Sequence, residues 1–506
     1  MARSAATRTR DALGVVAART AGRLTHLAGY AGTSLPGLVA ERVAPGIAGR
    51  LAADLGPIVL VSGTNGKTTT TLTLTTILRR SGHAVTTNPS GANLAQAVAS
   101  VLIARADLTG DGLLRPGDRA VFEVDEAALP PLVDTLPVAG LLLTNLFRDQ
   151  LDRFGETDRI VRTWRPMLDA HPAIPVVFCA DDPRLAALVR GRPNARGYGF
   201  AARPLAATTG GVLTTGGAVS TAGAVTTDVT TCPVCAAPLS VEWTTIGHLG
   251  AYRCGSCGFA RPEPWLSVRI VDDRGFDGQT LGFTVTSTGS GAARTDPGAA
   301  HSGAADPGAA REEMATVALI GVANAYNAAG ALAAASIVGV DLPGAVRALD
   351  GVGPAFGRWE SLEIDGRRVV LSLVKNPASL DEVTRAGTAA DVDAILFSMN
   401  DQHADGRDVS WYWDVDPTPL VPGRLVAIAG ARGPDMLLRL RYQLLDDPEA
   451  ELGGFVGLFD RPSAGLDALV ARVAPGGSIL VVSTYTALLG LRAELVGRGL
   501  LQPMPT

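Results

Sequence analysis

Residues 63–70 read Gly-Thr-Asn-Gly-Lys-Thr-Thr-Thr, directly after the short apolar run Pro-Ile-Val-Leu-Val-Ser at 57–62 and before a helical pattern reaching about Ser81. Strand, glycine loop and helix in that order make a cradle for phosphate oxygens, because the loop's backbone N–H groups and the helix N-terminus point at an anion. Gly63 and Gly66 permit the tight turn, with Thr64 and Asn65 between them. Lys67 adds a compact positive charge near the β- and γ-phosphates, Thr68 offers a hydroxyl to Mg²⁺, and Thr69 continues the turn. The longer form of this loop carries a further glycine at the place of Val61, so this is a shortened version. The bland alternative is a strand-to-helix turn with a stray lysine. Against it stands the rarity of that residue: Lys67 and Lys375 are the only lysines among 44 basic residues. Arginine replaces lysine easily on a surface, but not where a small ammonium must fit an oxyanion.

Cys232-Pro-Val-Cys235 and Cys254-Gly-Ser-Cys257 are two knuckles separated by 18 residues. Four thiolates at this spacing close a tetrahedral Zn²⁺ site with no open position, which makes the metal structural. Two disulfides are the alternative, and they fit a reducing compartment poorly. His248 reads as a structural or surface residue, not a ligand. The fifth cysteine, Cys179, lies in an apolar run and reads as buried and inert.

Lys375 opens Lys-Asn-Pro after the apolar run 368–374. A strand-end lysine facing a cleft neutralises a phosphate or an acyl phosphate, with Asn376 binding nucleotide or orienting it; a merely solvated lysine is the alternative. Residues 399–416 interleave Asp401, His403, Asp405, Asp408, Asp414 and Asp416 with Trp411 and Trp413. The simpler reading is an acidic surface loop with aromatics packed beneath. Aromatics beside carboxylates also mark interfaces.

These groups need positioning. Apolar runs at 57–62, 119–124, 138–144 and 174–180 alternate with helical patterns, which predicts a βαβ sheet. Residues 1–50 read as an N-terminal helical segment through Leu13, Val16, Ala17, Leu24 and Leu27. A helical pattern resumes near 315, and strand-like runs at 368–374, 392–398, 424–429 and 478–483 predict a second α/β unit. The expected division is 1–50, a central ATP-binding domain at 51–350, and a C-terminal α/β domain at 351–506. The ribbon inserts at about 228–262. A low-complexity, flexible loop is expected at about 287–312, where Asp-Pro-Gly-Ala-Ala occurs twice.

The 506 residues carry 18% charged and 47% hydrophobic side chains and a net charge of −5. That excludes disorder throughout and argues against holding nucleic acid or anionic lipid by bulk charge. Met314–Val340 carries no charge. It is leucine-poor and amide-bearing, so it reads as a buried helix and not a transmembrane span. No secretory signal is visible, and a cytoplasmic location is expected.

The shortened loop resembles that of the Mur ligase family, the ATP-dependent enzymes that build the peptidoglycan stem peptide. Glu123 in Val-Phe-Glu-Val-Asp-Glu matches the family's strand-end glutamate, which holds Mg²⁺. Thr144-Asn145-Leu146-Phe147-Arg148-Asp149-Gln150-Leu151-Asp152 is similar to the family's Thr-Asn-(x)₃-Asp-His-Leu-Asp stretch. Gly321-(x)₂-Asn324-(x)₂-Asn327-Ala328 matches the segment that reads the adenine, and Gly357-Arg358-Trp359-Glu360 resembles the family's Gly-Arg-Met-Glu, which places Arg358 on the nucleotide. Two departures bear on a second Mg²⁺ site. Gln150 stands for the family's metal-binding histidine, and the carbamylated lysine has no counterpart between Lys67 and Lys375.

Those departures, the four cysteines, Lys375-Asn376-Pro377 and Asp405-Gly406-Arg407-Asp408-Val409-Ser410-Trp411-Tyr412-Trp413-Asp414 are similar to the MurT branch of the family, the synthetase subunits of lipid II isoglutaminyl synthase. The resemblance implies an α/β fold: a Mur ligase-type P-loop central domain with a Cys₄ zinc-ribbon insertion and a smaller α/β C-terminal domain. It implies ATP-dependent amidation of the α-carboxylate of D-isoglutamate in lipid II, with ATP, Mg²⁺ and structural Zn²⁺ as cofactors. Lys67, Glu123 and Lys375 are the implied catalytic groups. The nitrogen then comes from a GatD-like glutaminase subunit in a heterodimer, acting at the inner face of the membrane. In that branch the C-terminal domain lends an aspartate to the partner's Cys–His pair; Asp414 is the first choice, then Asp408, with Asp416 also open. The chain's own sequence agrees in one respect: four cysteines are committed to metal and Cys179 has no motif, so no glutaminase nucleophile is visible. A stand-alone amino acid ligase of Mur or folylpolyglutamate type and a non-enzymatic ATP-binding zinc-ribbon scaffold are the alternatives.

Overall fold

The computed structural model describes residues 4–27, 34–89, 91–109, 112–147, 157–204, 208–209, 229–286, 312–354, 357–406, 408–444, 452 and 454–502. Gln150 and the rest of 148–156, Arg407, and all but Glu312 of the loop expected at 287–312 lie outside them.

Two sheets carry the architecture. The first has nine strands in the order Glu312–Val317, Gln279–Val285, Leu266–Asp273, Ala195–Phe200, Val176–Cys179, Val138–Leu143, Ile58–Ser62, Arg119–Glu123 and Val85–Thr87. Seven of them, from Leu266–Asp273 to Val85–Thr87, run parallel, and Gln279–Val285 and Glu312–Val317 add antiparallel at one edge. The central strands are continuous apolar runs because helices cover both faces; all five residues of Ile58–Ser62 are buried. The helical pattern expected from about 315 begins later. Glu312–Val317 is a strand whose residues alternate outward and inward in its second half, and the helix starts at Gly321. Helix Gly321–Ile337 is nearly half alanine and buried from Asn324 to Ala335, so it packs tightly between the sheet and helix Lys67–Arg80. Among the described residues, no helix is long and apolar enough to cross a membrane.

The second sheet pairs Arg358–Ile364 antiparallel with Arg367–Leu373. Parallel strands Ser478–Ser483, Ala394–Ser398, Leu425–Ala429 and Gly454–Phe459 follow in that spatial order. A small hairpin, Ser240–Thr244 with Gly250–Arg253, carries the cysteine knuckles at its open end. Helices Ala5–Leu27, Leu35–Val43 and Ile47–Ala52 form an N-terminal layer. The buried Asp11 carboxylate accepts from Arg50 at 2.6 and 3.0 Å, and Arg19 donates to the carbonyls of Ile103, Ala104 and Ala106.

After Ile58–Ser62 the chain crosses to Val85–Thr87 at one edge, and after the adjacent Val138–Leu143 it moves the other way, to Val176–Cys179, so the strand order reverses between these two. Ligands of open α/β sheets bind at such a switch point, outside the carboxyl ends of the strands. Three adjacent strand ends therefore deliver the loop at 63–67, Glu123 and Thr144-Asn145 to one place.

Candidate active site

The loop is built around its glycines. Gly63 has φ +131°, and a Cβ there would fall 2.3 Å from Thr144 Oγ1; Gly66 has φ +82°, and a Cβ would fall 2.1 Å from Asn327 Oδ1. Neither position accepts a side chain, sterically or conformationally. Thr64 N–H donates to the Asn145 carbonyl and Asn65 N–H to Asn145 Oδ1, both at 2.8 Å. Thr144 Oγ1 in turn donates to the Asn65 carbonyl at 2.8 Å. The Thr144-Asn145 pair is thus a brace for the loop.

Lys67 is buried. Its ammonium donates to the Gly63 carbonyl at 2.6 Å and to Glu126 Oε1 at 3.3 Å. Burial pushes the Glu126 carboxyl up to about 7, Lys67 opposes that rise, and neighbouring Asp125 adds to it. The carboxyl end of Arg119–Glu123 presents Glu123, whose Oε1 accepts from Thr68 Oγ1 at 3.1 Å. Two oxygens at that separation match a cis edge of an octahedron, about 3.0 Å for metal–oxygen bonds near 2.1 Å, which suits Mg²⁺. Asn88 fixes the strand end by bonding both the N–H and the carbonyl of Glu123.

The loop opens through Asn65 and Gly66 into a cleft between the two sheets' elements. Asn324 and Asn327 stand on its floor at the start of helix Gly321–Ile337, Asn327 Nδ2 donating to Asn324 Oδ1 at 3.0 Å, and Thr70 Oγ1 donates to Asn327 Oδ1 at 3.2 Å. The second sheet closes the other side. Lys375 Nζ donates to the Thr64 carbonyl at 3.0 Å, and Asn376 Nδ2 to Asn65 Oδ1, also at 3.0 Å. Asn376 at the same time caps helix Pro377–Ala389 through Ser379. Arg358 lines the cleft, its guanidinium desolvated by burial and held charged by Glu123 and Glu382.

The structure thus brings Gly63, Thr64, Asn65, Gly66, Lys67, Thr68, Glu123, Asn324, Asn327, Arg358 and Lys375 around one loop and cleft. Thr69 is buried in the first turn of the helix behind the loop. Asp414 is elsewhere, at the end of the 3₁₀ turn Ser410–Asp414. Two acidic groups escaped the sequence reading. Glu126 is the second glutamate of Glu-Val-Asp-Glu, to which the sequence assigns no role. Glu382 had no signal at all. Burial pushes its carboxyl up to about 7 against Arg358, it accepts from Ala323 N–H, and among the described residues its Oε1 has no hydrogen-bond partner.

The four cysteine sulfurs lie within 4.8 Å of one another, with Cys232–Cys257 at 3.7 Å and Cys235–Cys254 at 3.6 Å. A disulfide needs about 2.05 Å. A tetrahedron of sulfurs around Zn²⁺ has edges of about 3.8 Å for bonds near 2.3 Å. The cluster therefore fits zinc. His248 is not part of it: the ring is buried, 3.2 Å from Asp182 Oδ2 and against Phe147. Cys179 is fully buried, and burial pushes its thiol well up.

The ribbon reaches the nucleotide cleft. Residues 245–249 turn the hairpin at the end away from the knuckles; Ile246 and Leu249 line the cleft, and Thr245 shares a 2.9 Å hydrogen bond with Tyr326 OH beside Asn327. Arg385 of the second sheet's first helix donates to the Thr245 carbonyl at 2.6 Å. Zinc removal, or Cys235→Ser, is therefore expected to raise the Kd for ATP by roughly tenfold as the hairpin loosens. Metal analysis should give one zinc per chain in the native protein, and calorimetric titration with ATP reads the change. Unchanged ATP affinity after zinc loss would refute the coupling.

Comparison with known proteins follows this geometry. The family model described as Mur ligase middle domain matches residues 61–221, and that described as MurT ligase C-terminal matches 373–488. The lipid II isoglutaminyl synthase (glutamine-hydrolyzing) subunit MurT of Streptococcus pneumoniae is 28% identical over 96% of this chain and 97% of its own length. The subunit of the same name from Staphylococcus aureus is 26% identical over 85% and 87%. Among solved structures, a pseudomurein peptide ligase type C from Methanothermus fervidus superposes with a TM-score of 0.60 at 18% identity, covering 88% of this chain and 79% of its own. MurF ligase from Thermotoga maritima in complex with ADP gives 0.56 at 15% identity, covering 90% and 83%. The structural likenesses speak for the fold. Fold, loop, cysteine cluster and full-length sequence similarity converge: the chain belongs to the Mur ligase family, in its MurT branch.

Proposed function

We propose that this chain is the synthetase subunit of a lipid II isoglutaminyl synthase: an ATP-dependent carbon–nitrogen ligase that converts the D-isoglutamate of the lipid II stem peptide to D-isoglutamine, with nitrogen from a GatD-like glutaminase. The observation that carries this reading is Lys375 of the second sheet hydrogen-bonded to Thr64 of the loop that presents Lys67 and Thr68, beside a cleft that Asn324, Asn327 and Lys375 line. Residues 51–350 would form the ATP-binding domain, with residues 1–50 packed on it, and 351–506 the domain that meets the glutaminase. The work takes place in the cytoplasm, at the inner membrane face where lipid II presents its stem peptide.

A carboxylate is a poor electrophile, so the substrate oxygen first attacks the γ-phosphorus of ATP. An O–P bond forms, the bond to the β–γ bridging oxygen breaks, and ADP leaves. Ammonia then attacks the acyl carbon, loses a proton, and inorganic phosphate departs. Lys67 and the loop N–H groups stabilise charge on the transferred phosphoryl. Thr68 and Glu123 would hold Mg²⁺, which supplies positive charge to the phosphates. Lys375 is placed to meet the acyl phosphate's charge, and Glu382 Oε1 offers an acceptor within the nucleotide cleft. No protein nucleophile is required.

The test is product balance. With ATP, lipid II and ammonia, the chain should release one ADP per new amide, and with glutamine it should do so only when the glutaminase is present. ADP release without amide would favour a scaffold or a different acceptor. Amide formation from a free amino acid without the partner would favour a stand-alone ligase.

A further inference from the structure

Helix Ala5–Leu27 has two faces of different origin. Asp11, Gly14, Val15 and Ala18 are buried against the protein. On the other side Leu13, Val16, Leu24 and Leu27 are 60, 50, 61 and 84% exposed. At about 100° per residue these four fall within an arc of about 80°, centred opposite the buried face. Arg10 and Arg23, both exposed, flank the arc on either side. The inner face is already fixed by the Asp11–Arg50 pair and by Arg19 on the carbonyls of Ile103, Ala104 and Ala106. The outer aliphatic stripe is left largely facing solvent.

The segment is also basic, although Arg19 and Arg50 are engaged in the inner contacts above. Residues 1–50 carry seven arginines against Asp11 and Glu41, a local +5 in a chain whose total is −5. A basic helix with an exposed aliphatic stripe that is too polar to span a bilayer is suited to lie in a membrane interface, the stripe entering the acyl boundary and the arginines meeting anionic headgroups.

We propose that the outer face of helix Ala5–Leu27 docks on an anionic phospholipid bilayer. The helix would hold the ligase against the surface that carries a lipid-linked acceptor. This goes beyond the proposed ligase reaction and does not rest on it, because vesicle binding is read without ATP or acceptor.

The test is co-sedimentation of the full chain, together with its partner subunit where one is present, with phosphatidylglycerol and with phosphatidylcholine vesicles. Binding to the first, weakened by salt and at least about tenfold stronger than to the second, is expected. The triple variant L13Q/L24Q/L27Q should lose about tenfold or more of that partitioning, while its unfolding midpoint and ammonia-dependent activity on a short-chain, water-soluble acceptor stay as in the native protein. Should the triple variant fail to fold, R10Q/R23Q tests the same surface by its salt-dependent part. Equal partitioning of native and variant chains, or no binding to phosphatidylglycerol, would overturn the proposal. So would a native dimer that the triple variant dissolves without any vesicle binding, since the stripe would then belong to a second copy. Loss of vesicle binding with the reaction intact, or the reverse, separates this inference from the ligase assignment.

Discussion

Lys67→Ala is expected to lower ATP-dependent amide formation by about 10³-fold or more, through kcat and not the acceptor KM. The ammonium is buried and sits 2.6 Å from the Gly63 carbonyl, so the wider guanidinium of Lys67→Arg should fare little better. Single-turnover measurement of ADP release with lipid II and ammonia reads the loss. The variant carries a second signature, because Lys67 also faces the buried Glu126. In the native fold Glu126 titrates near 7, above its ordinary 4.5. A carboxyl whose folded pKa is raised keeps its proton longer in the folded state, so folding stability declines as pH rises from about 4.5 to about 7 and then levels. Without Lys67 the opposing charge is gone and Glu126 climbs further. Stability of Lys67→Ala should therefore keep declining above pH 7, where the native protein has levelled. Denaturant titrations at pH 6 and 8.5 read the difference, and Lys67→Ala/Glu126→Gln should abolish it. A Lys67→Ala variant with near-native turnover would remove the phosphate loop from the reaction.

The residues that sequence alone made legible share a physical property: their function is local. Gly63 to Thr68 work as a contiguous turn, and Cys232, Cys235, Cys254 and Cys257 need only two knuckles, so spacing carries the message. The strands Ile58–Ser62, Val138–Leu143 and Ala394–Ser398 are covered on both faces and read as unbroken apolar runs. Strands with one open face or a sheet edge do not. Glu312–Val317 alternates, Leu266–Asp273 ends in charge, and Gly454–Phe459 is nowhere fully buried, so none announces itself. Glu382 meets Arg358 and Ala323 only through tertiary packing, and the Thr245–Tyr326 bond that ties the ribbon to the nucleotide helix spans 81 residues. No periodicity encodes such pairs. The phosphate loop by itself leaves the branch of the family open; the four cysteines and the Asp-Gly-Arg-Asp-Val-Ser-Trp run point to it, and the full-length similarity to MurT subunits agrees.

Asp414→Asn is expected to leave ammonia-dependent amidation within about twofold of native while lowering glutamine-dependent amidation by roughly 10³–10⁴-fold, the scale seen when the orienting carboxylate of a catalytic histidine is neutralised. The acidic candidates differ in their surroundings. Asp405 is buried and accepts from Thr486, an internal role. Asp408 accepts from Ser410 N–H at 2.9 Å and Asp416 from Thr418 N–H at 3.0 Å, the turn geometry of acids two residues upstream. Asp414 follows Trp413, which is 43% exposed and meets Tyr442 edge-on at 5.3 Å between ring centroids. Arg439 lies 5.5 Å from the Trp413 ring and donates to the Tyr412 and Val415 carbonyls, so both flanks of Asp414 are pinned from one side chain. A backbone held on both flanks, beside an exposed aromatic pair, suits a residue that lends a group across an interface. Asparagine keeps the size and one acceptor but removes the charge, so assembly should survive while histidine orientation fails. Trp413→Ala should do the opposite, weakening partner binding by about 10²-fold while activity recovers at high partner concentration. Loss of both activities in Asp414→Asn would assign the residue to the ligase's own fold. Unchanged glutamine use would pass the role to Asp408, where the same isosteric change and the same pair of nitrogen donors decide it.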